Sequence, residues 1–174
     1  MLMNLTDVFT SDGKVKKVSV PYAFESFSYM GNEYPVKDKT EIAFTFSNIG
    51  TGSVLIEGEL QLTLEIPCDR CLQSVNVPLS VAFAHQVAAP DKEEASSEEE
   101  EQNFMSGYEL DVDALINNEI LINMPVKVLC QEECKGICPV CGGNLNEKEC
   151  GCDTFVPDPR MAAIKDIFNA NKEV

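Results

Sequence analysis

The sequence predicts an α+β fold: an antiparallel β-sheet domain with a packed helix and a small metal-pinned, cysteine-rich C-terminal module. Three observations lead there. Leu60, Leu62, Leu64 and Ile66 alternate with Glu59, Gln61, Thr63 and Glu65, giving one apolar and one wet face, as in antiparallel sheets. Val112, Leu115, Ile116 and Ile120 recur at helical spacing behind Asp111, a good N-cap residue. Six of the eight cysteines fall between Cys130 and Cys152. A chain of 174 residues suits one domain, or one domain plus a small module. The expected divisions are a mainly β domain at 1–89, an acidic disordered loop at 90–107, a helix and strand packing on the sheet at 108–129, and a cysteine-rich zinc module with a C-terminal helix at 130–174.

Taken in order, Leu2, Leu5, Val8 and Phe9 predict a short amphipathic helix ending at Gly13. Lys14, Lys16 and Lys17 then read as a solvated strand start. Val18, Val20, Tyr22 and Phe24 alternate, as do Ile42, Phe44 and Phe46, with turns at Gly31-Asn32 and Gly50-Thr51-Gly52. Gly58 suggests a bulge before the Glu59–Ile66 strand. Cys68-Asp69-Arg70-Cys71 joins that strand to another, in which Val75, Val77, Leu79, Val81, Phe83, His85 and Val87 share a face and Pro78 marks an edge. Asp91 to Glu101 hold seven acids and one lysine, the composition of a solvated, disordered loop. Leu121, Ile122 and Met124 extend the apolar character of the helix, which is therefore expected to be largely buried and to stop before Pro125. Val126 and Val128 suggest a short strand. Asp158-Pro159-Arg160 opens a last helix with the stripe Met161, Ile164, Ile167 and Phe168.

The segment Cys130–Cys152 has only three large apolar residues, Ile137, Val140 and Leu145, so burial cannot offset the entropy of ordering it. Something covalent or coordinate must hold it. Cys138-Pro-Val-Cys141-Gly-Gly has the spacing of a metal knuckle, and Cys150-Gly-Cys152 offers a second pair. Cys138, Cys141, Cys150 and Cys152 are therefore the expected ligands of a closed, structural Zn2+ site; rubredoxin-like iron and disulfides are the lesser readings. Cys68, Cys71, Cys130 and Cys134 would make a second set of four. The first residues lack a basic, apolar leader, and no run approaches the ~20 apolar residues of a membrane span. A cytoplasmic protein that does not act at a membrane is expected.

The net charge of −16 argues against non-specific nucleic-acid binding, which depends on Lys and Arg neutralising phosphates. It favours basic protein partners. His85 is the single histidine; its register on an apolar face predicts a packed or hydrogen-bonded rim residue, and one histidine makes a Ser-His-Asp or Cys-His catalytic set improbable. The two arginines, Arg70 and Arg160, with Lys127 and Lys135, are candidate partner contacts, since arginine suits bidentate contacts to phosphate or carboxylate.

Together, CDRC between long strands, the acidic gap, E-L-D-x-x-x-L-I-N-x-E-I-L-I-N-M-P, C-K-G-I-C-P-V-C-G-G-N-L-N and the closing D-P-R resemble the bacterial YceD family of large ribosomal RNA subunit accumulation proteins. The resemblance spans roughly residues 50 to 168. It implies a non-enzymatic role in making or maintaining the large ribosomal subunit, through a ribosomal protein or the large-subunit pre-rRNA particle and without a small-molecule substrate. The cysteine-rich ending is the form seen in part of that family, which marks metal as scaffolding. A cytoplasmic thiol redox or metal-handling protein is the alternative.

Overall fold

A computed structural model of the chain describes residues 1–90 and 104–152. The acidic run at 91–103 and the last predicted helix, with Arg160, lie outside the described residues. In order, the elements are β1 (Leu2–Asn4), α1 (Thr6–Phe9), β2 (Val15–Pro21), β3 (Ser26–Tyr29), β4 (Asn32–Lys39), β5 (Glu41–Gly50), β6 (Ser53–Pro67), β7 (Ser74–Ala88), β8 (Met105–Ser106), β9 (Glu109–Asp111) and α2 (Val112–Asn123). The architecture is mostly antiparallel sheet with two helices among the described residues, a smaller helical share than an α+β fold implies. No helix among them is long and apolar enough to cross a membrane.

The chain divides into two compact units, one of Met1–Ile66 with Ser74–Val128, the other of Pro67–Gln73 with Leu129–Val174. The first unit holds both sheets. In the larger, the strand order is β2-β5-β6-β4-β3, and β7 also pairs with β6. The smaller has the order β1-β9-β8. The β3–β4 hairpin turns through Met30 and Gly31, both at positive φ (48° and 79°), with Tyr29 opposite Asn32. A two-residue turn of this handedness matches the twist of the flanking strands.

The alternating residues of β5, β6 and β7 face one core. Ile42, Phe44, Phe46, Val54, Ile56, Leu60, Leu62, Leu64, Leu79, Val81 and Val87 are all buried there. Leu115, Ile116 and Ile120 of α2 belong to the same apolar cluster. Asp111 caps that helix, its Oδ1 accepting from the backbone N–H of Asp113 and Ala114. Buried Asn48 on β5 donates from Nδ2 to the carbonyls of Val8 and Phe9, so one amide satisfies the exposed end of α1.

Four expectations are corrected. Residues 2–9 are not one helix: Leu2 lies in β1, paired with Asp111, and is exposed, while Leu5, Val8 and Phe9 are buried. The short edge pairing with β9 outweighs helix periodicity over so few residues. Gly58 makes no bulge against β5, since it sits opposite Phe44 in a ladder whose register shifts only further along, between Asn48 and Gly50. A Cβ at Gly58 would lie 2.1 Å from Cζ of Phe83; the glycine is there to let that ring lie on the strand. Leu121 and Ile122 are exposed, being off the Leu115–Ile116–Ile120 face. Val126 and Val128 form no strand: the backbone there is irregular, with Val128 buried and Val126 fully exposed.

His85 is a rim residue of the expected kind. Its Nε2 lies 2.7 Å from Oε1 of Glu119 on α2, and its ring packs near Phe83 and Phe104. Glu119 is only 5% exposed, so the imidazole supplies a hydrogen-bond partner to a carboxylate that water hardly reaches.

Two stability predictions follow from this packing. Gly58→Ala is expected to destabilise the protein by about 1–3 kcal/mol through overpacking, and Phe83→Leu in the same chain should recover part of that loss in urea unfolding midpoints. His85→Ala leaves Glu119 without its partner and is expected to cost about 1–3 kcal/mol; an unchanged midpoint would show that water replaces the imidazole.

Candidate metal centres

The second unit gathers all eight cysteines into two groups of four. Cys68, Cys71, Cys130 and Cys134 form one; Cys138, Cys141, Cys150 and Cys152 form the other; within each, every sulfur lies within 4.8 Å of the rest. Each group is built on a tight knuckle. In the first, the N–H of Leu72 donates to the carbonyl of Cys68 (2.9 Å), with Leu72 at φ 62°. In the second, the N–H of Gly142 donates to the carbonyl of Cys138 (2.8 Å), with Gly142 at φ 72°. Both motifs bring the residue after the second cysteine into the left-handed region. Glycine adopts it without strain, and leucine does so at a cost of about 1–2 kcal/mol.

The sulfur spacing fits a tetrahedral ion. Sγ of Cys68 lies 3.8 Å from that of Cys134, and Sγ of Cys71 lies 3.5 Å from that of Cys130. Bonds of about 2.3 Å to a central zinc put tetrahedral sulfurs about 3.8 Å apart. All eight cysteines are free thiols. The groups differ in exposure: Cys68, Cys71 and Cys134 are buried, whereas in the other group only Cys138 is buried and Cys141 and Cys150 are exposed.

The electrostatics also call for a cation. At Cys68 burial opposes ionisation, but backbone N–H groups of Arg70, Cys71 and Cys130 outweigh it and lower the thiol to about 6. At Cys138 the N–H groups of Cys141 and Val140, acting against burial, likewise bring it to about 6. The proton stays on their neighbours. Burial and then the other three sulfurs push Cys130 up to about 12, and Cys150 and Cys141 do the same to Cys152, also about 12. Each group thus has N–H donors placed for thiolate but cannot hold four negative sulfurs unaided. A divalent cation resolves that conflict, and four thiolates close its coordination shell.

Beyond the sulfurs, Nδ2 of Asn146 donates to Sγ of Cys134 (3.3 Å), while its Oδ1 accepts from the N–H of Lys135 (2.8 Å) and from Nε2 of Gln131 (3.2 Å). In the sequence, Glu119 and Asn146 stand only as letters of the motifs that carry the family resemblance, with no role of their own. The burial of Glu119 was legible, since it occupies a helical position on the Leu115–Ile116–Ile120 face. Asn146 closes the C-K-G-I-C-P-V-C-G-G-N-L-N motif, which gives no sign of its contact with Cys134.

The candidate partner residues are differently placed. Arg70 is engaged inside the second unit: Nη1 donates to the carbonyl of Cys134 (2.8 Å), and its own carbonyl accepts from Ile137 (3.1 Å). A Cβ on Gly136, at φ 81°, would lie 3.0 Å from that carbonyl, so glycine permits the close approach. Lys135 extends Nζ to 3.6 Å from Glu149. Lys127 is exposed in the first unit. Arg160 lies outside the described residues.

The fold and the two cysteine groups define a mostly β protein with a cysteine-rich module able to hold metal. The chain belongs to the YceD family, described as "Large ribosomal RNA subunit accumulation protein YceD", which matches residues 56–168. Uncharacterized proteins of Mycobacterium bovis and Mycobacterium tuberculosis are 27% identical over 121 residues, which is 69% of this chain and 58% of each relative. The chain therefore spans under two thirds of the length of these relatives. A chloroplastic protein of Arabidopsis thaliana, named large ribosomal RNA subunit accumulation protein YCED homolog 1, is 34% identical over 44 residues, 25% of this chain and 14% of that one. No solved structure matches the chain significantly.

Metal content should respond to acid in a defined direction. Thiolates bind metal only after losing their protons, so the loaded form holds fewer protons and its stabilisation is lost as pH falls. Titration with a metallochromic chelator at stepped pH should show about two divalent ions per chain at neutral pH, one for each group, and progressive release as acid lets protons compete for the sulfurs. A metal content independent of pH would mean that sulfur is not the donor.

Proposed function

We propose that this chain is a non-enzymatic factor in large ribosomal subunit biogenesis, acting in the cytoplasm to support accumulation of large-subunit rRNA. The observation that carries this reading is the family match over residues 56–168, a stretch that contains every cysteine of the chain. Within it, the cysteine groups hold two Zn2+ ions as scaffolding. Cys138, Cys141, Cys150 and Cys152 bind one; Cys68, Cys71, Cys130 and Cys134 bind the other. Four thiolates per ion leave no position for a substrate or an activated water, which supports a structural rather than a catalytic metal.

The partner is a basic ribosomal protein or the large-subunit pre-rRNA particle. The net charge of −16 favours the protein, because affinity for bare RNA depends on cations at the phosphates. Lys127, Lys135 and Arg160 are the proposed outward contacts. Arg70 serves first as an internal clamp, consistent with its hydrogen bond to Cys134.

One observation favours the second reading, a thiol redox or metal-handling protein: Cys68, drawn toward thiolate by backbone N–H groups, lies in a C-x-x-C pair with Cys71, although the burial of both sulfurs opposes attack on them. Depleting the protein and tracking it on sucrose gradients separates the two. A lower ratio of large- to small-subunit rRNA, with the protein in pre-large-subunit fractions, is the expected result. An unchanged ratio, with protein confined to light fractions and a reversible Cys68–Cys71 disulfide, would put thiol chemistry first.

A further inference from the structure

Asn146 belongs by sequence to one cysteine group and by contact to the other. It lies in the segment between Cys141 and Cys150, whose two ends are ligands of the exposed group. Its side chain donates to Sγ of Cys134, a member of the buried group. The same amide is fixed from three further directions: Oδ1 accepts from Lys135 N–H and Gln131 Nε2, and Nδ2 also donates to Oδ1 of Asn144 (2.8 Å).

The backbone repeats this crossing. Leu145 N–H donates to the carbonyl of Gly136 (2.9 Å), Ile137 bridges Asn144, and Cys138 N–H donates to the carbonyl of Gly143 (2.8 Å). Residues 134–138 therefore lie antiparallel to residues 143–146. The first of these stretches begins at a ligand of the buried group and ends at a ligand of the exposed group. The second carries Asn146. Cys134 of the buried group and Cys138 of the exposed group thus sit at the two ends of one short paired stretch.

We propose that the two cysteine groups load metal cooperatively, with Asn146 as the positioning residue that couples them. The proposal rests on the two-metal reading above. An ion in the exposed group fixes the 141–150 segment and so aims the Asn146 amide at the Cys134 thiolate. The ion of the buried group then meets a sulfur already oriented and partly neutralised by an N–H donor. Groups that orient a metal ligand in this way commonly change affinity about 10–100-fold. Linkage makes the effect mutual: an ion in the buried group raises the affinity of the exposed group by the same factor. The exposed sulfurs of Cys141 and Cys150 thus become the handle through which a chelator acts on the buried group.

The test uses the full chain, stripped of metal and titrated with Cd2+. Native mass spectrometry counts chains with no, one and two ions, and cadmium NMR separates the two sites. At one ion per chain, the wild type should hold mainly empty and doubly loaded chains. Asn146→Ala keeps every ligand, yet should let the singly loaded species accumulate and weaken the buried group about 10–100-fold. Asn146→Asp, which keeps the acceptor for Lys135 and Gln131 but removes the donor to sulfur, should do the same. Cys141→Ser with Cys150→Ser should weaken the buried group to a similar extent. A buried-group affinity indifferent both to loading of the exposed group and to the Asn146 variants overturns the coupling. A wild-type chain that takes up no Cd2+ overturns instead the metal reading beneath it.

Discussion

Four sulfurs confined within 4.8 Å of one another form the constraint on which the second unit depends. Left to themselves they share too few negative charges to use the N–H donors around them, and too many for the space. Cys68 and Cys138 are drawn toward thiolate while Cys130 and Cys152 are held as thiols. A chain that places backbone N–H groups at buried sulfur, and then leaves that sulfur half-protonated, is shaped for a state in which a cation takes the place of the protons. The scarcity of apolar side chains in this unit agrees with the same point, since coordination can supply the cohesion that a hydrophobic core supplies elsewhere.

The first unit works by the opposite means. Its cohesion comes from one apolar face shared by β5, β6, β7 and α2. Asn48 and Glu119 enter the interior with hydrogen-bond partners, whereas the Tyr22 hydroxyl is buried there without one. The family match spans parts of both units.

Much of this was legible in the sequence because a two-residue alternation is hard to mistake. The faces of β6 and β7 can be read directly from Leu60–Ile66 and Val75–Val87, and the Asp111 cap from its place before the helical stripe. The grouping of the cysteines was legible by spacing for Cys138, Cys141, Cys150 and Cys152, and by arithmetic for the rest. What escaped depends on partners distant in the chain. Leu2 joins a strand only because Asp111 is available to pair with it. Gly58 looks like a bulge until Phe83 is seen to need its space. Asn146 is only the last letter of a motif until its amide is found on the sulfur of Cys134. Periodicity reports which face is buried and says nothing of what buries it.

The two cysteine groups also differ in how much chain they enclose. The ligands Cys138 to Cys152 are neighbours in sequence, so an ion there closes only short loops. Cys71 and Cys130 are separated by 59 residues, and an ion joining them closes a ring through β7 and α2. Closing a ring of that size removes more freedom from the unfolded chain than closing the short ones, although the gain grows only with the logarithm of its length. It also sets which parts of the chain must meet. The local group draws on one short stretch, whereas the other must bring two sulfurs placed before β7 to two placed after α2, so an ion there would report on whether everything between has folded.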